Sequence, residues 1–365
     1  MEKFAFIIHP FDVADVSRKF PMLGRMSSAW LERFMKHSPP LVVEHMSGIR
    51  SAANEHAEGW LVATTLTARQ MLELPTPHVL RKIIAAGRKA ERQGARIVGL
   101  GAFTSVVGDA GITIARQLSI PVTTGNSYTV ATALQAASQA AALMGIELSR
   151  ATLCVVGATG AIGSVCARMM APAVGKLILA ARQQEKLETL AGLIFSESSV
   201  LCDYETDVRH AVRDADVVIT VSGSADTLIE PEDLKTGAVV CDVARPRDVA
   251  KKVVEARDDV LVIEGGLVQV PGGWQGDFSF GLPKGIVYAC MAETMLLALE
   301  GRYECFTLGR SISIEQVREI DRMAQKHGFQ LAGFRSFERP MAMEEITQIR
   351  TRAEAKKRAQ LPLYT

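Results

Sequence analysis

Cysteine is sparse and dispersed: six residues in 365, at positions 154, 166, 202, 241, 290 and 305, without a CxxC pair. That usage excludes a disulfide scaffold and suits a reducing cytoplasm. The seven histidines show no metal-ligand spacing, so no metal is expected. Charge of one sign is not in excess either, because 41 Lys and Arg meet 40 Asp and Glu. A protein that wraps duplex nucleic acid carries a clear basic surplus, so nucleic acid is not an expected partner. The long uncharged stretch 117–146 contains Pro121, Gly125, Asn126, Gln135 and Gln139. A membrane span needs about 20 predominantly apolar residues; this stretch reads as a buried, alanine-rich helix, and no transmembrane segment is expected. The first ten residues lack the apolar core and cleavage site of a signal peptide.

What is present is ordinary globular material, 48% hydrophobic and 22% charged, long enough for two domains or one large α/β unit. The texture changes near residue 150. Before it, helical patterns cover 13–36 and 77–93, with Gly94 as a stop, and strand-like runs lie at 41–46, 59–65 and 96–100. After it, short apolar runs at 151–156, 176–181, 200–202, 216–221, 238–242 and 260–263 alternate with helical segments. Nearly continuous apolar strands of this kind belong to a parallel sheet with helices on both faces. Helices are expected at 283–300 and 313–327; Ser313 and Gln316 have capping-box spacing, and Gly328 ends the second.

The sequence 153–163 reads Leu-Cys-Val-Val-Gly-Ala-Thr-Gly-Ala-Ile-Gly. Gly157, Gly160 and Gly163 fall at a strand-to-helix junction, where glycines permit a tight turn and close approach of a pyrophosphate. The first helical N–H groups then face the phosphates. Gly157, Ala158, Thr159, Gly160, Ala161, Ile162 and Gly163 are accordingly candidate cofactor contacts. The second strand ends in Ala181 and Arg182, where NAD sites usually place an acid; an arginine there pairs with a 2′-phosphate, so NADPH is the expected cofactor. Ser222 and Gly223, after the fourth strand, are candidates for the nicotinamide half.

Cys290 lies in Lys-Gly-Ile-Val-Tyr-Ala-Cys-Met-Ala-Glu-Thr, after the last of these strands and the glycine-rich loop 264–274. Pattern alone makes it a core helix residue in the second turn. Several motifs point further: residues 4–20, Gly-Leu-Gly-Ala-Phe-Thr-Ser-Val at 99–106, Thr-Thr-Gly-Asn-Ser-Tyr-Thr at 123–129, the glycine motif, 289–301 and Lys-His-Gly-Phe at 326–329. In this order they resemble the cyanobacterial long-chain fatty acyl-[acyl carrier protein] reductases, which form fatty aldehydes from carrier thioesters. The resemblance runs from about residue 4 to 329. It implies a nucleophilic cysteine at Cys290, NADPH, and a substrate domain formed mainly by the N-terminal half.

The expected architecture is therefore α/β: a doubly wound parallel-sheet Rossmann domain with an N-terminal α/β substrate domain, arranged as in shikimate dehydrogenase. Its expected parts are an acyl-binding domain at 1–125, a linking helix at 126–150, and the NADPH domain at 151–300, which includes the cysteine helix. A helical segment at 301–334 and a charged tail at 335–365 complete it. Thr104, Ser105 and Asn126 are candidates to hold the substrate or its oxyanion, with local turn hydrogen bonding as the alternative. Glu293 is more readily a helix-surface salt bridge than a proton shuttle.

An acidic carrier would dock on Arg81, Lys82, Arg88, Lys89 and Arg92, or on Arg350, Arg352, Lys356, Lys357 and Arg358; CoA is the other thioester carrier to consider. An aldehyde-consuming enzyme is a further partner suggested by the resemblance. Two rivals remain. One is a shikimate-dehydrogenase-like NADP-dependent hydroxyl or ketone oxidoreductase without a nucleophilic cysteine. The other is a non-catalytic NADP-binding redox sensor.

Overall fold

The chain opens on a strand that is apolar on both sides. β1 (Glu2–Ile8) presents Phe4 and Phe6 to one face and Ala5 and Ile7 to the other, all buried, as in a strand covered by helices on both faces. The computed structural model describes residues 1–10, 12–19, 22, 26–224, 226–244, 246–276 and 281–360. After β1 come α1 (Val13–Lys19), α2 (Ser28–His37), β2 (Leu41–Arg50), β3 (His56–Ala63), α3 (Ala68–Glu73) and α4 (Thr76–Arg92). Next are β4 (Val98–Leu100), a 3₁₀ turn (Ala102–Ser105), α5 (Ile112–Ala115), β5 (Val122–Thr123) and α6 (Asn126–Leu143).

The Rossmann part alternates β6 (Thr152–Val156), α7 (Ala161–Met170), β7 (Lys176–Ala180), α8 (Gln184–Ser198), β8 (Cys202–Glu205), α9 (Val208–Val212) and β9 (Val217–Thr220). It ends with β10 (Val239–Asp242), α10 (Lys252–Ala256) and β11 (Leu261–Glu264). Then follow β12 (Leu267–Gln269), β13 (Ile286–Tyr288), α11 (Ala289–Leu299) and α12 (Ile314–His327). The last elements are β14 (Gln330–Leu331), β15 (Arg335–Ser336), β16 (Arg339–Pro340) and α13 (Met343–Gln360).

Two units result: one contains Met1–Tyr128 and Val268–Gln330, the other Thr129–Leu267 and Leu331–Thr365. In the first, a sheet of order β2-β3-β1-β4-β5 is parallel except for the β2–β3 pair. Val79, Ile83, Ala86 and Ala90 of α4 cover the Ala5, Ile7, Val62 and Val98 face. α11 packs on β1 and β4. It approaches so closely that a Cβ on Gly99 would lie 2.0 Å from Thr294 Oγ1.

The second unit holds six parallel strands in the order β11-β10-β9-β6-β7-β8. This is the dinucleotide-binding order, with β6 and β9 flanking the point where the winding reverses. One face buries Leu153, Val155 and Ile219 with α6 and α8 residues such as Ala137, Ala140 and Leu190. The other buries Cys154, Val156, Val218 and Val240 with Val212 and Val253.

Several boundaries differ from expectation. The helical pattern at 13–36 is two helices; the sequence places Pro21 and Gly24 between them, and both residue types interrupt helices. Residues 286–288, two of them β-branched, form β13, so the expected helix at 283–300 starts at Ala289. Cys290 thereby moves from the second turn to the second helical residue. The strand at 200–202 lies later, at Cys202–Glu205.

The expected NADPH domain at 151–300 loses everything after Leu267 to the first unit, which also takes most of the separate 301–334 segment. Contact of α11 with β1 and β4 is the reason, and a pairing so distant in sequence leaves no local sign. The linking helix ends at Leu143, ahead of Gly145. The charged tail folds as β15, β16 and α13, anchored by Ile346 and Ala353 in the second unit's core. Residues 361–365 of that tail, and Phe11 and Phe20 of the stretch 4–20, lie outside the described residues.

Candidate functional site

In the second unit the glycine motif does what its spacing requires. Gly157 has φ +78°, and a Cβ on it would press to 3.0 Å against the Ser222 backbone. A Cβ on Gly163 would lie 2.3 Å from the Gly157 carbonyl oxygen. Gly160 is the N-cap of α7. The N–H groups of Gly157 and Ala158 donate to the Ala180 carbonyl at 2.9 and 3.1 Å, fastening the turn to β7. Ala158 is buried, while Thr159, Ala161 and Ile162 are half-exposed along the turn and the helix start. This cradle admits backbone but no side chain and ends on the open N–H groups of a ten-residue helix, which fits a pyrophosphate. Ala181 is half-buried at the end of β7, and Arg182 beside it is exposed.

Ser222 and Gly223 do follow β9, and Ser222 is tied down by a residue that sequence reading did not single out. Asp248 is fully buried and accepts from the Ser222 N–H at 3.0 Å and from the hydroxyls of Ser222 and Thr220. Asp242, also buried, accepts from the N–H groups of Ala244 and Val249 at 3.0 and 3.2 Å. These carboxylates stiffen the loops at the sheet's carboxyl edge, with Ser222 directly behind Gly157. Gly223 has open space around its Cα. Short polar residues in turns hold so many ordinary roles that no local pattern picks Asp248 out.

The first unit gathers a different site. α11 is apolar apart from Glu293 and Thr294, and every residue of it is buried except Cys290, which is half-buried. Tyr288 is the N-cap, so the Cys290 side chain lies at the open N-terminal turn, where N–H groups and the helix dipole favour a thiolate. Gly125, with φ +75°, sits against it: a Cβ there would lie 2.2 Å from Cys290 Cα. Burial pushes the Cys290 thiol up to about 12; the Glu293 carboxylate adds to the rise, and the N–H groups of Met291, Cys290 and Ala102 oppose it. Ala102 has φ +46°, a strained value for a residue with a Cβ, at the turn whose N–H faces the sulfur. Cys166 and Cys202 are also raised, to about 12 and about 11. The oriented N–H groups of Met291, Cys290 and Ala102 distinguish Cys290 from Cys202, which is equally half-buried.

Glu293 is not at the helix surface. It is fully buried, and among the described residues it has no Lys or Arg partner. Instead Oε1 accepts from the hydroxyls of Thr123 at 2.5 Å and Thr307 at 2.9 Å, and Oε2 accepts from the Tyr128 N–H at 2.9 Å. Burial raises its pKa, and these donors, together with Gly125, pull it back. Ser127 and Thr307 share a further hydrogen bond of 2.8 Å, and the Thr124 N–H donates to the Thr307 carbonyl at 2.9 Å. The carboxylate thus fastens the 123–128 segment and Thr307 around Cys290.

The three substrate candidates lie in the same unit as Cys290. Thr104 and Ser105 give their hydroxyl protons to Gly101 and Ala102 carbonyls, each at 2.7 Å, inside their own turn. Asn126 is half-exposed at the start of α6, next to Gly125. Of the basic groups, Lys82 is spent on the Ser38 carbonyl at 2.6 Å. In the tail, Lys356 pairs with Asp258 at 2.6 Å and Arg350 with Glu354 at 2.8 Å. Among the described residues no cluster of His, Cys, Asp and Glu could hold a metal, and no helix is long and apolar enough to cross a membrane.

Comparison with known proteins finds relatives over most of the chain. A family model described as Shikimate / quinate 5-dehydrogenase matches residues 138–264. Aminotransferase PigE of Serratia sp. is 30% identical over 341 residues, 90% of this chain; the chain spans only 39% of that protein's length. Long-chain acyl-[acyl-carrier-protein] reductase of Synechococcus elongatus is 30% identical over 312 residues, 81% of this chain and 89% of that protein. Among solved structures, L-tryptophan dehydrogenase from Nostoc punctiforme aligns with a TM-score of 0.42 at 12% identity, covering 97% of this chain and 89% of that one.

Proposed function

The chain belongs to the family of the long-chain acyl-[acyl-carrier-protein] reductase, a nicotinamide-nucleotide-dependent reductase of Rossmann architecture, and from that premise we propose that it reduces a long-chain acyl thioester to the aldehyde through Cys290. The observation that carries this reading is that Cys290 alone on an otherwise buried helix is partly open, at the N-terminal turn and with backbone N–H groups on its sulfur. When bound on the glycine turn, a reduced nicotinamide nucleotide supplies the hydride that the thioester needs. NADPH is the form proposed, with Arg182 meeting the 2′-phosphate.

On the chain's side, the Cys290 sulfur attacks the thioester carbonyl, and the carrier leaves as its thiol with the cysteine's proton. The acyl group is then held as a thioester on Cys290. Its reduction gives a hemithioacetal at the sulfur, and collapse of that adduct frees the aldehyde and restores the thiol. The developing oxyanion would be met by the Ala102 N–H, by the first N–H groups of α11 and by the Asn126 amide; Thr104 and Ser105 shape the turn. Burial raises the pKa of the free Cys290 thiol, so its proton leaves in step with the attack and passes to the departing carrier sulfur.

Acyl carrier protein, or CoA, is the proposed thioester carrier, an aldehyde-consuming enzyme the proposed recipient, and the cytoplasm the proposed location. Intact-protein mass after mixing with palmitoyl-carrier protein or palmitoyl-CoA, without nucleotide, tests the reading. A palmitoyl adduct on Cys290 that discharges as aldehyde on adding NADPH is expected. No adduct with nucleotide still bound would favour the hydroxyl or ketone dehydrogenase, a reading supported by a dehydrogenase family match confined to 138–264.

A further inference from the structure

In the first unit, helix α2 turns its apolar side both ways. Leu31 and Met35 are buried, yet Trp30 is 67% exposed and Phe34 53% exposed. Trp30, Arg33, Phe34 and His37 follow the i, i+3, i+4, i+7 spacing, so two aromatic rings and two basic groups share one outward face. With more than half of each ring in solvent, Trp30 and Phe34 leave apolar surface one turn apart unburied. A face built this way has something to cover it in use.

The face continues into α4. Lys36 and His37 at the end of α2 lie close enough to act electrostatically on His78, as do Arg81 and Lys82; burial is the main cause of that histidine's lowered pKa, and these four neighbours add to it. The Lys82 ammonium reaches the Ser38 carbonyl, holding the start of the α2–β2 link against α4. Beyond it, Arg81, Arg88 and Arg92 recur at helical spacing around a groove of about 360 Å³ floored by Ile84, Ala85 and Pro40. Among the described residues Arg33, Lys36, Arg81, Arg88 and Arg92 have no ion pair. The nearby carboxylates are committed: Glu32 to Arg69 at 2.5 Å, and Glu91 to the Ser119 N–H at 2.5 Å.

We propose that the α2–α4 face of the first unit is a docking surface for an anionic lipid membrane, with Trp30 and Phe34 entering the interface and Arg81, Arg88 and Arg92 meeting lipid phosphates. The chemistry selects this partner in two ways. Aromatic residues beside cations on one helix face are the pattern of an in-plane interfacial helix. Three arginines that make no ion pair among the described residues, each a fork for phosphate, complement a surface that carries one phosphate per lipid. The surface is peripheral: α2 has ten residues, far short of a span.

The test is co-sedimentation of the full chain with large unilamellar vesicles of phosphatidylcholine containing phosphatidylglycerol, against vesicles of phosphatidylcholine alone. Binding to the anionic vesicles is expected, falling as salt is raised and at least about tenfold weaker for plain phosphatidylcholine. Trp30→Ala with Phe34→Ala, and separately Arg88→Glu with Arg92→Glu, should each weaken it about tenfold or more. These residues are exposed, and unchanged circular dichroism would show that the variants fold. No vesicle binding, or binding untouched by both double variants, would overturn the proposal. So would a carrier protein that binds this face and is lost with the same substitutions while vesicles are ignored. None of these outcomes depends on turnover, so failure here leaves the reductase reading standing.

Discussion

The two sites are built on opposite plans. The nucleotide turn in the second unit is made by one continuous segment, 153–163, whose strand, turn and helix follow one another in sequence. The Cys290 site in the first unit is made by four segments, around Ala102, Gly125, Cys290 and Thr307, brought together by the packing of α11 on the β1–β4 sheet. A contiguous site tolerates little change within a few residues, and its outside supports are few, here the Ala180 carbonyl and the Ser222 backbone. A dispersed one depends on a buried residue that ties its pieces together, here Glu293 with its donors.

Substitutions should separate the two plans, and the largest effect belongs to the nucleophile. Cys290→Ser should abolish the acyl adduct and lower thioester reduction at least about a thousandfold. Nucleotide affinity, read by fluorescence titration, should stay at the wild-type value. Retained turnover would remove Cys290 from the reaction.

Gly163→Ala is the converse. Its Cβ would meet a backbone oxygen at 2.3 Å, and overpacking of that kind costs about 1–3 kcal/mol. Nucleotide binding should weaken about tenfold to a hundredfold, while the nucleotide-free acyl adduct on Cys290 still forms.

Glu293→Gln sharpens the contrast further, because it keeps size and removes charge. Its amide nitrogen faces a donor, so hydrogen bonds to the 123–128 segment are lost, and acylation should slow about tenfold. The thiol should respond in the opposite sense. Glu293 raises the Cys290 pKa, and without its negative charge the thiolate forms at lower pH. Alkylation of Cys290 by iodoacetamide, followed by peptide mass across pH, should therefore shift to lower pH in the variant. A purely structural role would slow acylation without that shift. In the wild type, alkylation at neutral pH should be slow, because a thiol raised to about 12 is protonated there.

The smallest effect concerns nucleotide choice. Arg182→Ala should reduce the preference for NADPH over NADH about tenfold, the size of one charge-assisted hydrogen bond. Equal loss for both nucleotides would assign Arg182 to the adenine side without 2′-phosphate selectivity.

The contrast between the sites explains which parts were legible. The Rossmann strands are apolar runs bounded by turns, and five of the six fall within a residue or two of where periodicity puts them. β8 is the exception, half-exposed and mixed in composition. The capping box of Ser313 and Gln316 and the Gly328 stop are local as well, and both are present. By contrast, Glu293 reads as an ordinary helix carboxylate until its burial is known. Ala102 gives no sign of a positive φ, and Asp248 resembles many turn aspartates.

Short-range chemistry therefore settled what this sequence could state: apolar strands, a glycine turn that no side chain may enter, and helix caps three residues long. Those features depend on dihedral freedom and on neighbours a few residues away. The unit to which α11 belongs, the solvent access of Cys290 and the fastening of Glu293 came from contacts between residues more than a hundred positions apart. Such contacts are chosen by which buried faces fit together, and fit is a property of the folded packing that no local pattern carries.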